Sequence, residues 1–197
     1  AVRDVLAYTR GVIETESGSA TDNPLVFADR GEVLSGGNFH GAPLGYALDF
    51  AAIALTDLAG ISERRIDRLI NPDKSEGLPP FLSSDPGISS GFMMAHVTAA
   101  ALLNEARVLA HPASIDNVST SGGKEDHVSM GMTAALKFRR IVECASRVIA
   151  IELMAASEGL EYRLPLQPGT GVREAKVSVR RYARRLEADR SLSAEIE

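Results

Sequence analysis

The chain has one cysteine, Cys144, among 197 residues. No internal disulfide can staple it, and no zinc site built on several thiolates can form. It has no excess of positive charge, since 21 Lys and Arg stand against 26 Asp and Glu for a formal net charge of −5. Non-specific nucleic-acid binding needs a basic face that displaces counterions from phosphates, so that class of partner is unsupported. No run reaches the roughly 20 apolar residues that a membrane span requires. The stretch from Val148 to Ala156 comes nearest, and Glu152 interrupts it. Arg3, Asp4 and Arg10 break up the apolar residues at the start, which is not the pattern of a signal peptide. The remainder, 45% hydrophobic and 24% charged, is the composition of a globular chain with enough length for one well-packed domain. There is no initiator Met, and helical periodicity is already running at Val2, Val5 and Leu6, so a portion upstream is expected.

Helical spacing dominates what is present. It predicts an opening helix that fades by Gly18, then two short extended pieces, Leu25 to Phe27 and Glu32 to Leu34. Asp29-Arg30-Gly31 joins them as the turn of a small hairpin. A polar loop, Ser35 to Gly41, leads to Pro43, which suits the first turn of a helix because its missing N–H is no loss there. That helix is expected to break at Gly60 and resume through Ile66 and Ile70. Residues 71 to 90 hold four prolines and read as a long irregular crossing. Further helices are predicted over about Gly91 to His111, Asp126 to Gly159 and Val172 to Glu187. The fold class is therefore all-α, a long-helix bundle with one small β-hairpin. Helices apolar on more than one side point to burial in a larger assembly.

Generic catalytic motifs are missing. There is no phosphate-binding G-x-x-x-x-G-K-[ST] loop and no H-E-x-x-H pair, and the four histidines are far apart in sequence. Cys144, between Glu143 and Ala145 in mid-helix, fits a small buried hydrophobe better than a nucleophile. Polar side chains instead crowd three loops: Thr21-Asp22-Asn23-Pro24, Gly36-Gly37-Asn38-Phe39-His40, and Lys124-Glu125-Asp126-His127-Val128-Ser129-Met130. Asp126 suits the N-cap of the longest helix. Capping requires neither Glu125 nor His127.

Six collinear segments carry a resemblance. They are Asp22-Asn23-Pro24-Leu25-Val26-Phe27, Ser35-Gly36-Gly37-Asn38-Phe39-His40, Ser62-Glu63-Arg64-Arg65, Leu78-Pro79-Pro80-Phe81-Leu82, Ser90-Gly91-Phe92-Met93, and Glu125-Asp126-His127-Val128-Ser129-Met130. In order and spacing the chain resembles the C-terminal part of the aromatic amino acid ammonia-lyases, from about residue 1 to its end. The last segment resembles the histidine-type version; phenylalanine lyases resemble Asn-Gln-Asp-Val-Asn-Ser there, and tyrosine lyases also tend to lack the glutamate. A carboxylate can accept a hydrogen bond from an imidazole N–H, for which a phenyl ring has no counterpart.

The resemblance implies the fumarase/aspartase-like ammonia-lyase architecture and elimination of ammonia from an amino acid, here L-histidine to trans-urocanate. It implies no diffusible cofactor, but an electrophilic 4-methylidene-imidazol-5-one ring formed from an internal Ala-Ser-Gly. It also implies a cytoplasmic location and a homotetramer with shared active sites. By position, Phe39 matches the aromatic residue near the ring and substrate, and Glu125 the acid near the substrate side chain; these are the catalytic candidates. Asn23 matches a polar residue that contacts the substrate carboxylate, and Asn38 and His127 are supporting candidates. Simple packing for Phe39, a turn brace for Asn23 and a structural hydrogen-bond acceptor for Glu125 remain open alternatives. So do a tyrosine or phenylalanine lyase or aminomutase segment and a non-catalytic helical assembly module. No Ala-Ser-Gly occurs in these 197 residues, and the family's Gln-Asp-x-Tyr-x-x-Arg segment is likewise missing. The expected outcome is that the isolated chain, given L-histidine, shows no growth of urocanate absorbance; measurable turnover would overturn this account of the electrophile.

Overall fold

The computed structural model describes residues 1–197. In chain order it contains α1 (Val2–Ser17), β1 (Leu25–Phe27), β2 (Glu32–Leu34), α2 (Ala42–Ile70), α3 (Met93–Leu109), α4 (Gly131–Glu161), α5 (Thr170–Arg180) and the single turn α6 (Ser193–Ile196). Short 3-10 turns occur at Pro80–Leu82 and Ser121–Gly123. The strands pair antiparallel, with Leu25 opposite Leu34, Val26 opposite Val33 and Phe27 opposite Glu32. The chain divides into two compact units, residues 1–56 with 107–142 and residues 57–106 with 143–197; α2 and α4 supply residues to both.

In the first unit α1 lies along the start of α2. The buried Thr9 hydroxyl donates to the Ala47 carbonyl at 3.1 Å, and Tyr8 meets Phe50 edge to face at 6.3 Å. Leu48, Ala113 and Ala134 form a small core, with Leu44, Met130, Ala135 and Phe138 packed on it. Beside it the buried Asp49 accepts from the Ser114 N–H at 2.8 Å and from Lys137 Nζ at 3.2 Å. Burial pushes the Asp49 carboxyl up, but the Ser114 and Ala113 amides and Lys137 outweigh it and hold the group below its ordinary value.

The second unit carries the larger core. Ile66 and Ile70 of α2, Ala95 and Ala99 of α3, and Val148, Ile151 and Ala155 of α4 present helical spacings to one another. Alanine at these positions lets helix axes approach closely. Glu158 on α4 is fully buried and ties the chain after α5 back to that helix. Its Oε2 accepts from Arg180 at 2.8 Å and from the Leu186 N–H at 3.2 Å, and Arg185 Nε stands 3.5 Å from Oε1. Asp189 accepts from the Ser90 and Gly91 amides, at 2.7 and 3.0 Å, just ahead of α3.

The main helices and the hairpin follow the sequence expectation; several boundaries do not, and the single turn α6 lies beyond the last helix expected. Gly60 does not break α2, which runs unbroken for 29 residues, because a packed helix tolerates the roughly 1 kcal/mol helix-interior penalty of glycine. α4 begins at Gly131 rather than Asp126, and α5 ends at Arg180 rather than Glu187. By length and composition α2 is also apolar enough to cross a bilayer, with a mean hydropathy of 1.5 over its best window. An unbroken apolar run is absent because Asp49, Thr56 and Asp57 interrupt it, whereas the many alanines keep the mean high. Here Ala47, Leu48, Ala51 and Ala52 are buried, and Asp49 is paired.

Two glycines predict opposite outcomes for the same substitution. Gly91 has φ +56, and a Cβ there would lie 2.5 Å from the Phe81 carbonyl oxygen. A Cβ on Gly60 would meet nothing nearer than Leu103 Cδ1 at 3.9 Å. Gly91→Ala should destabilise by on the order of 2–3 kcal/mol, and Gly60→Ala should stabilise by up to about 1 kcal/mol. Urea titration of both variants checks the pair.

Candidate functional site

All five residues singled out in the sequence fall in the first unit, on loops that its helices and hairpin hold in place. Asn23 precedes β1 across a cis bond to Pro24. Its Oδ1 accepts from the Ser35 hydroxyl at 3.0 Å and the Gly36 N–H at 3.1 Å, which fixes the chain leaving β2. Its Nδ2 donates to nothing within the chain. Asn23 is thus a brace through one end of its amide, while the other end is available. Asn38 Nδ2 donates to Glu16 Oε2 at 3.3 Å, anchoring the next loop to α1.

Phe39 follows in a turn and is 47% exposed. Its ring meets His40 edge to face at 5.7 Å, and His40 in turn meets His127 at 5.1 Å. The structure therefore joins Phe39 and His127 through a residue that sequence reasoning quoted but gave no role. The signal was its place two residues ahead of the first residue of α2: His40 Nδ1 accepts the Ala42 N–H at 3.2 Å, satisfying one of that helix's open amides.

The segment carrying Glu125 is held by its backbone. Thr120 N–H donates to the Glu125 carbonyl at 2.9 Å, and Glu125 N–H returns a bond to the Thr120 carbonyl at 3.3 Å. The Ser119 hydroxyl adds a third bond at 3.1 Å, and Asn117 Oδ1 accepts the Val128 N–H at 2.8 Å. Residues 126–130 are not helical, so Asp126 is not the N-cap. The helix-start role falls to Ser129. Its hydroxyl donates to the His40 carbonyl in a short hydrogen bond and accepts the Gly131 N–H at 3.3 Å. Backbone packing enforces this start: a Cβ on Gly45 would lie 3.0 Å from the Ser129 carbonyl oxygen, and one on Gly131 would lie 3.2 Å from that of Gly41.

The arrangement leaves three chemically usable groups on neighbouring loops. The Glu125 carboxylate is exposed and accepts no hydrogen bond within the chain. The Phe39 ring is half exposed, and the Asn23 amide has a donor to spare. They offer, respectively, an anionic acceptor, an aromatic face and an amide donor. No group of three or more His, Cys, Asp and Glu is placed to hold a metal ion.

Comparison with known proteins gives the family and the fold. Residues 1–181 match the model of a family described as aromatic amino acid lyase. Over 197 residues the chain is 53% identical to a histidine ammonia-lyase of Anaeromyxobacter sp. strain K, covering 100% of this chain and 39% of that protein. The crystal structure of histidine ammonia-lyase from Trypanosoma cruzi matches with a TM-score of 0.92 at 46% identity, over 99% of this chain and 38% of that one. Tyrosine aminomutase from Streptomyces globisporus matches with a TM-score of 0.90 at 39% identity, over 99% of this chain and 37% of that one. The chain thus spans about two fifths of the length of these relatives.

The two ends of the Asn23 amide can be separated experimentally. Asn23→Ala loses both accepted bonds and should cost about 1 kcal/mol. Asn23→Asp keeps the acceptors for Ser35 and Gly36 and should stay within a few tenths of a kcal/mol of the parent. Chemical denaturation of the two variants measures the difference.

Proposed function

Because the chain belongs to the aromatic amino acid lyase family, we propose that it is the C-terminal portion of an enzyme that eliminates ammonia from L-histidine to give trans-urocanate. The electrophile of such an enzyme is a 4-methylidene-imidazol-5-one ring that activates the substrate for loss of its amine. These 197 residues contain no Ala-Ser-Gly from which the ring could form. The work of this chain's residues is therefore binding and orientation, and the portion that supplies the triad is its necessary partner.

In this reading the Glu125 carboxylate accepts the imidazole N–H of the substrate, and Phe39 packs against the ring. The spare Nδ2 of Asn23 donates to the substrate carboxylate. Asn38 and His127 hold the two loops that carry these groups. The observation that carries the proposal is the state of Glu125. Its segment is pinned by the Thr120, Ser119 and Asn117 bonds, none of which uses the carboxylate. A structural acceptor would have spent that carboxylate on the fold. A charge-assisted bond to an imidazole N–H also separates histidine from phenylalanine, which has no donor to offer. This favours the histidine reading over a phenylalanine-directed lyase or aminomutase. Tyrosine has a hydroxyl that could donate, and against it stand the histidine-type pattern of residues 125–130 and the higher identity to the histidine enzymes.

Exposed apolar side chains support a larger assembly: Tyr46, Phe50 and Ile53 on α2, and Met132 and Leu136 on α4. We assign these surfaces to the rest of the lyase and to further copies in a homotetramer, working in the cytoplasm.

The test is Glu125→Gln in the complete enzyme. It keeps size and one acceptor but removes the charge. A hydrogen bond to a charged group contributes roughly 1.5–3 kcal/mol, so kcat/KM for L-histidine should fall by about 10- to 150-fold with melting unchanged. A lower melting temperature with full kcat/KM would make Glu125 a loop brace and remove the support for histidine.

A further inference from the structure

His40 joins the two loops of the proposed site, yet nothing in that proposal uses its side chain. Three contacts define it. Nδ1 accepts the Ala42 N–H at 3.2 Å, so the proton of the neutral ring is on Nε2 and the ring is tied to the first turn of α2. One ring edge contact goes to Phe39 at 5.7 Å, and the other goes to His127 at 5.1 Å, two residues from Glu125. Its carbonyl takes the Ser129 hydroxyl from the far end of the same segment. The Glu125–Ser129 segment is thus gripped by His40 at two points: His127 by the ring and Ser129 by the backbone. The ring cannot turn without breaking its bond to Ala42.

We propose that His40 is a positioning residue whose imidazole, locked by the start of α2, clamps His127 and thereby sets where the Glu125 carboxylate stands relative to Phe39. This rests on the histidine reading above and adds a specificity-determining residue to it. In this role His40 acts through the segment it grips, by the ring contact to His127 and the carbonyl that receives Ser129.

His40→Asn separates the clamp from the cap. Asparagine at this position can accept the Ala42 N–H through its own side-chain oxygen, as in an Asx turn, but it has no ring to meet His127. In the complete enzyme, His40→Asn should melt with the parent. It should raise KM for L-histidine about tenfold and weaken trans-urocanate binding, measured by calorimetry, by about the same factor, with kcat within about threefold. The deciding comparison is a double-mutant cycle with Glu125→Gln. If His40 acts through Glu125, adding His40→Asn to Glu125→Gln should cost no more than about threefold further, the residue owed to Phe39. An undiminished tenfold effect in that background, or no effect of His40→Asn alone, would overturn the clamp while leaving the histidine reading intact. Unchanged kcat/KM and urocanate affinity in Glu125→Gln alone would overturn the histidine reading, and the clamp with it.

Discussion

The Ser129 hydroxyl is where the site's geometry is decided. It donates to the His40 carbonyl and accepts the Gly131 N–H, so a single oxygen ends one loop, begins α4 and joins that loop to the one leading into α2. Two glycines suit the close approach at this junction: side chains on Gly45 and Gly131 would press on the carbonyls of Ser129 and Gly41 and require them to shift by a few tenths of an ångström. Met130 sits between the two functions with φ +53, a conformation that a non-glycine residue adopts at a cost on the order of 1–2 kcal/mol. The neighbouring contacts are what hold it there.

From that junction the bonds that hold Glu125, Val128 and the end of β2 follow one pattern. Backbone groups and uncharged side chains carry the structure: Thr120 and Ser119 on Glu125, Asn117 on Val128, Asn23 on Ser35 and Gly36. The Glu125 carboxylate carries none of it. A loop stabilised without its charge leaves that charge available to a ligand, and rigid support of this kind is what keeps a binding group from losing its strength to disorder.

Three buried carboxylates elsewhere are spent on the fold. Asp49 is enclosed by Ser114 and Lys137, and Glu158 by Arg180, Arg185 and the Leu186 amide. Glu63 is buried, which pushes its carboxyl up, but hydrogen bonds from Arg64 at 2.5 Å and His96 at 2.8 Å outweigh this and hold it below its ordinary value. Removing one partner from such a group would leave a buried charge uncompensated, so these carboxylates are committed to the folded state in a way that Glu125 is not.

Local signals were enough for the element types and the hairpin strands. Residues 25–27 and 32–34, the start of α2 beside Pro43 and the end of α1 before Gly18 all depend on neighbours in sequence. The six segments shared with the lyases were equally visible, because they are strings of residues in a fixed order. What stayed hidden depended on a partner distant in the chain. Asp126 and Ser129 are both acceptable helix caps by composition; Ser129 takes the role because the His40 carbonyl, 89 residues away, receives its hydroxyl. Gly60 reads as a break until Leu103 is found beside it, and His40 reads as one more loop polar residue until its ring is seen between Phe39 and His127. Periodicity and turn chemistry are properties of adjacent residues, whereas the choice among competing caps and the placing of a ring require the chain to have met itself in space.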